Sequence, residues 1–115
     1  MSGVEFESQV AWLFRAEGWT VTLTGTTGDG GADLVMTRDL KKIVVQCKAH
    51  VAPQGSPVLR DLLGTKQDFN ADGAILCALS GVTPAAKDFA DRNEISILTL
   101  GDLVGLAARL GAGAG

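Results

Sequence analysis

The chain has little of what small proteins use for staples and soft-metal sites: two cysteines and one histidine in 115 residues. Cys47 and Cys77 lie in apolar runs. Neither has a second Cys or a His at zinc-finger spacing, so a zinc site is not expected. They read as reduced, buried thiols of a cytoplasmic protein. Long hydrophobic runs are also missing. No stretch approaches the roughly 20 apolar residues that span a bilayer. Glu5 and Glu7 stand where a secretion signal would carry a basic start and an apolar run. Membrane attachment and export are therefore not expected. Positive charge is short as well, with 10 Lys and Arg against 13 Asp and Glu and a net charge of −3. That balance argues against a tight, sequence-reading nucleic-acid module. It argues less against a protein whose carboxylates are offset by bound cations.

What is present suits one globular domain. Apolar residues make up 46% of the chain and charged residues 20%, an ordinary balance for a packed core. Residues 1–110 form the expected domain, and residues 111–115 (GAGAG) read as a tail or linker. Ser2 and Glu5 have capping-box spacing and open a helix to about Glu17, stopped by Gly18. Phe6, Val10, Leu13 and Phe14 give it one apolar stripe. Trp12 falls off that stripe and is exposed or packs on a partner, whereas Trp19 suits the core. Trp19, Val21 and Leu23 alternate with Thr20 and Thr22 as a half-buried strand.

Residues 24–31 (TGTTGDGG) form a loop by composition. In it Asp29 is expected to set a turn, and Gly28, Gly30 and Gly31 to supply positive φ or a close phosphate approach. No Gly-Lys-Ser/Thr follows, so this is not a P-loop. Residues 32–37 and 42–48 are strands joined by a turn, together an antiparallel ribbon. Ser56 and Pro57 cap a second helix with a Val58, Leu59, Leu62 and Leu63 stripe. Asp72 and Gly73 make a turn before residues 74–79, a continuously apolar strand of the kind covered on both faces. Thr83 and Pro84 cap a third helix ending near Asn93. Residues 95–98 form a fifth strand, and residues 102–110 a last helix. The expected order is αβββαβαβα, a three-layer α/β/α arrangement around a mixed sheet of about five strands.

On a strand, side chains alternate faces, so Val44, Gln46 and Lys48 share one side and Ile43, Val45 and Cys47 the other. Asp33, on the preceding strand, can be brought beside Gln46 and Lys48. An Asp carboxylate, an amide oxygen and a Lys at a sheet edge match phosphodiester hydrolysis. Hard Mg²⁺ takes oxygen ligands and activates water, and a cation beside it stabilises developing charge. Alone, a Gln-x-Lys pair on a strand is more often a solvated edge. Glu7 lies at the margin of the first helix's apolar stripe, where a carboxylate can reach a wet cleft.

These motifs resemble one family. Phe-Glu followed by VAWLF and Gly-Trp, then TGDGGADLV, then VVQCK, then the Thr-Pro-Ala-Ala helix and a final ISIL strand are similar to the Mrr-like branch of the PD-(D/E)xK nucleases. The resemblance covers nearly the whole chain. It implies a restriction-endonuclease-like fold and a Mg²⁺- or Mn²⁺-dependent DNA endonuclease of restriction or DNA defence. It implies Asp33 and Gln46 as metal ligands with the Cys47 backbone carbonyl, Lys48 as the catalytic lysine, and Glu7 as the helix glutamate that organises metal or water. Gln46 stands where the wider superfamily has Glu or Asp. Lys41, Lys42 and His50, in a segment (residues 38–50) with four basic residues against one acid, and Arg60 on the second helix are candidate DNA contacts. The resemblance further implies DNA as partner, target recognition by a separate or missing module, and a homodimer where both strands are cut. Two alternatives stand beside it: a nuclease like the Holliday-junction resolvases, and a catalytically silent nuclease fold that binds DNA or assembles with partners.

Overall fold

Apolar periodicity and helix caps explain most of the architecture, seen in a computed structural model that describes residues 2–24 and 31–114, with side chains to residue 111. Four helices and five strands follow one another along the described residues: α1 (Gly3–Ala16), β1 (Thr20–Leu23), β2 (Leu34–Arg38), β3 (Lys41–Lys48), α2 (Ser56–Asp68), β4 (Gly73–Ala78), α3 (Pro84–Arg92), β5 (Ile95–Leu98) and α4 (Leu100–Ala114). This is the order anticipated from the sequence. Ser2 caps α1 through its side chain, which accepts from the Glu5 N–H at 3.2 Å. Gly18, at φ +103°, ends the helix in the left-handed region that costs glycine little. Thr83 caps α3 in the same way as Ser2 caps α1, accepting from Ala86 N–H at 3.2 Å.

The strands form one mixed sheet in the order β1-β2-β3-β4-β5. β1, β2 and β3 run antiparallel in turn, whereas β4 and β5 join in parallel through α2 and α3. The ribbon turns at Asp39 and Leu40, both at positive φ, as a tight hairpin requires. Each face carries its own apolar core. On one side Phe6, Val10, Leu13 and Phe14 of α1 and Leu103 and Leu106 of α4 pack on Leu34, Met36, Val45 and Cys47. On the other, Leu59 and Leu62 of α2 and Ala86 and Ala90 of α3 cover Val44, Ala74 and Leu76. β4, enclosed on both faces, has Leu76 and Cys77 fully buried, which explains its unbroken apolar run.

Several boundaries differ from expectation. α2 begins at Ser56, with Gly55 as N-cap and no side-chain cap, so Ser56 is already helical. Pro57 still occupies the first turn, where its missing N–H costs nothing. Leu59 and Leu62 are buried as expected, joined by Thr65, while Val58 and Leu63 are only partly covered. α4 extends beyond residues 102–110 at both ends. Asp102 supplies its start signal, accepting from the Thr99 N–H at 2.8 Å and hydroxyl at 3.0 Å. β1 lies at the sheet's edge; Val21 is buried but Leu23 is 42% exposed. Trp19, expected in the core, is half-buried beneath the Arg38 guanidinium, 4.3 Å from its ring centre. Trp12 is exposed. Asp29, Gly28 and Gly30 lie outside the described residues.

Candidate active site

β3 is longer than its antiparallel partner, and that mismatch builds the site. The β2–β3 ladder ends at the Leu34–Val45 pair, while β3 continues through Gln46, Cys47 and Lys48. Those last residues still pair with β4 on their other side. Toward β2 their backbone groups have no strand partner, and buried N–H groups demand one. Asp33 supplies it: its Oδ2 accepts from the Cys47 N–H at 2.7 Å. The Asp33 N–H in turn donates to the Val45 carbonyl at 2.8 Å, so Asp33 and Leu34 both face Val45. Two residues opposite one is a β-bulge, which re-aims side chains and is frequent beside active sites. Its mark extends further along the chain. Ala32 and Val35 both pack in the α2–α3 core, although simple alternation would set them on opposite faces.

The residues past the end of β2 line a cavity of about 440 Å³ with the start of α1 and the segment after β3: Glu7, Asp33, Gln46, Cys47, Lys48 and His50, with Gly3 at its margin. Asp33 and Gln46 are buried, at 9% and 4% exposure. Gln46 Oε1 has no hydrogen-bond partner among the described residues. That is unusual, because leaving a buried acceptor unpaired costs about 1–3 kcal/mol. Burial pushes the Asp33 carboxyl above its ordinary value, against the opposing pull of the Cys47 N–H, Glu7 and Lys48. Burial, followed by the Asp33 charge and a hydrogen bond to it, raises Glu7 as well. Both shifts disfavour two bare carboxylates side by side in the cavity. Cys47 is no nucleophile, since its hydrogen bond with Cys77 and burial push its thiol far upward.

The donors fit a hard divalent cation. One carboxylate, a buried unpaired amide oxygen and main-chain carbonyls are the oxygen ligands that Mg²⁺ or Mn²⁺ prefers. The carbonyl of Cys47 leaves the strand on the same edge as its N–H, which places it on the Asp33 side. No group of three or more His, Cys, Asp and Glu side chains suited to a metal occurs among the described residues. Glu7, Asp33, Gln46, Cys47, Lys48 and His50, all singled out in the sequence, line this one cavity. Gly3 was missed, although the Ser2 cap could have signalled its position at the start of α1.

The other candidates lie elsewhere. Lys41 and Lys42 begin β3 at the hairpin, roughly 20–23 Å along the strand from Lys48 at about 3.3 Å per residue. Lys42 is occupied by the protein, with its Nζ on the Phe69 carbonyl at 3.1 Å and its N–H on Asp72. Arg60 sits over the Phe89 ring, 5.6 Å from its centre, on the α2–α3 side. None of these three lines the cavity, because strand direction and helix face, which net charge does not reveal, decide where a basic residue points.

Known proteins are similar to this chain in sequence and in fold. A family model for restriction endonucleases matches residues 1–107. The chain is 36% identical over 81 residues to the type IV methyl-directed restriction enzyme EcoKMrr of Escherichia coli strain K12, a match covering 68% of this chain and 27% of that protein. It is 28% identical over 101 residues to an uncharacterized mitochondrial protein of Schizosaccharomyces pombe, covering 80% of this chain and 41% of that one. Among solved structures, the DNA modification-dependent restriction endonuclease AspBHI has the same fold, with a TM-score of 0.70 at 19% identity, over 95% of this chain and 31% of that one. The chain thus spans less than half the length of these relatives. Across nearly its whole length, the chain belongs to the restriction endonuclease family, on its Mrr-like branch.

Proposed function

We propose that the chain is the catalytic domain of a Mg²⁺- or Mn²⁺-dependent DNA endonuclease that hydrolyses phosphodiester bonds. The observation that carries this reading is the buried Gln46, its Oε1 without a hydrogen-bond partner among the described residues, lining one cavity with Asp33 and Lys48. Asp33, Gln46 and the Cys47 carbonyl hold the cation. Bound there, it supplies a water of lowered pKa and neutralises charge on the phosphate. Glu7, on the wall of the same cavity, orients water there. Lys48, at the end of β3, faces the negative charge that builds on the phosphoryl oxygens as water bonds to phosphorus and the ester P–O bond breaks. His50, exposed at the rim, meets the DNA backbone. Cys47 and Cys77 are both free thiols, and no helix among the described residues is long and apolar enough to cross a membrane, which supports a cytoplasmic place of action.

The biological reading follows from the likeness to restriction enzymes. The chain cuts foreign or modified DNA, its target is chosen by a recognition module outside these residues, and a homodimer brings two sites to the two strands. Light scattering with DNA present checks the dimer; a persistent monomer excludes it. Incubating supercoiled plasmid with Mg²⁺ or Mn²⁺ tests the chemistry. The wild-type chain nicks the plasmid, and Lys48→Ala and Asp33→Ala each reduce the rate by about a hundredfold or more, as loss of one charge-stabilising group does elsewhere. Nicking unchanged by both substitutions would defeat the assignment.

A further inference from the structure

We infer that the first turn of α1 is a phosphate clamp, in which the main-chain N–H groups of Gly3 and Val4 hold one backbone phosphate of the bound DNA. The proposal rests on the nuclease reading and names a contact beyond it. It starts from helix accounting. The first N–H groups of a helix lack intrahelical acceptors. In α1 the Glu5 N–H is taken by the Ser2 hydroxyl and the Phe6 N–H by the Ser2 carbonyl. The N–H groups of Gly3 and Val4 remain at the positive end of a 14-residue helix.

Two further observations aim that end at an anion. Gly3 lines the same cavity as Asp33, Gln46 and Lys48, and a Cβ built on it would meet nothing within 4 Å. The backbone there is open to close approach. Independently, Gln46 is 4% exposed in that cavity with an unpaired Oε1. An acceptor buried without a donor calls for a cation, and a cation held by so few charges calls for an anion to share it. A phosphate fills that need, with the cation on one side and N–H groups on another. Glu7 and Asp33 would repel it unaided, so the helix terminus and Lys48 supply the opposing field along the cavity wall.

Proline provides a clean perturbation. Gly3 is the first helical residue, where proline is favoured, and Ser2 at φ −77°, ψ 164° already has the extended backbone that a residue before proline adopts. Gly3→Pro therefore deletes one N–H while keeping the helix. Binding of a fluorescent duplex is measured by anisotropy in Ca²⁺ over a salt series, beside circular dichroism. A second duplex series carries a single neutral methylphosphonate at each position flanking the cut. The clamp predicts that Gly3→Pro binds about tenfold more weakly, as loss of one hydrogen bond to a charged group does, with a salt slope like that of the wild type because a neutral N–H releases no counterion. It also predicts one methylphosphonate position that weakens wild-type binding and leaves Gly3→Pro unaffected. Wild-type affinity in Gly3→Pro, or equal methylphosphonate losses in wild type and Gly3→Pro, overturns the clamp. Weaker duplex binding by Gly3→Pro with the one sensitive methylphosphonate position, but no wild-type cleavage in Mg²⁺, keeps the clamp and removes the nuclease reading. Absence of duplex binding by the wild type removes both.

Discussion

Replacing Gln46 with methionine should make the cation-free protein more stable and the site inactive. Gln46 Oε1 is buried and unpaired, and an acceptor in that condition costs about 1–3 kcal/mol. Methionine has nearly the same length and volume, so packing on Val44 and Leu76 changes little, with a cost under about 1.5 kcal/mol. The difference leaves a net gain of about 1 kcal/mol, or roughly 3–6 °C in Tm for a domain of this size. The assay is paired thermal and urea unfolding of wild type and Gln46→Met in EDTA, then in Mn²⁺. In EDTA the variant should unfold later. In Mn²⁺ the order should reverse or close, because a cation at 100 times its Kd stabilises the wild type by about 2.7 kcal/mol. Plasmid nicking should vanish in the variant. A Gln46→Met protein that is less stable than wild type in EDTA would refute the reasoning, since the amide would then have a structural partner. Undiminished nicking would refute it from the other side.

Two further substitutions probe the frame around the site. Thr83→Ala removes the side-chain cap of α3 and should lower stability by about 1 kcal/mol in urea unfolding, with plasmid nicking at 25 °C unchanged. Asp102 accepts from the Thr99 N–H and hydroxyl, which hold its carboxyl below the ordinary value. A lowered folded-state pKa contributes stability that is present above the unfolded value and lost as pH falls through the folded one. The urea midpoint of wild type should therefore exceed that of Asp102→Ala near neutral pH, and the gap should close on acidification below the usual carboxylate range. A gap that widens in acid would contradict the sign.

Local signals exposed most of this fold in the sequence. Ser2 with Glu5 and Thr83 with Pro84 marked helix starts because capping chemistry is confined to a few neighbouring residues. The apolar run of β4 showed burial on both faces for the same reason. Features set by pairing between strands were invisible. Alternation alone places Asp33 on one fixed side of its strand, but the bulge opposite Val45 turns it, and only the register of two strands reveals that. Lys41 and Lys42 looked close to Lys48 in the sequence, yet an extended strand separates them along its whole length. Trp19 shows a milder version of the same limit. Its ring is covered by Arg38, which a search for apolar neighbours does not consider.

The hold on Asp33 has an evolutionary consequence. The carboxylate is tied to the main chain at position 47, and every residue except proline offers the same N–H there. The side chain at 47 can therefore drift under the demands of the α1 core, with Cys47 now packed among Phe6 and Val10, and leave the aspartate where it is. Selection on interior packing and selection on the placement of this carboxylate meet at one residue without competing. A lineage could exchange its hydrophobic interior piece by piece and keep Asp33 at the same point of the cavity.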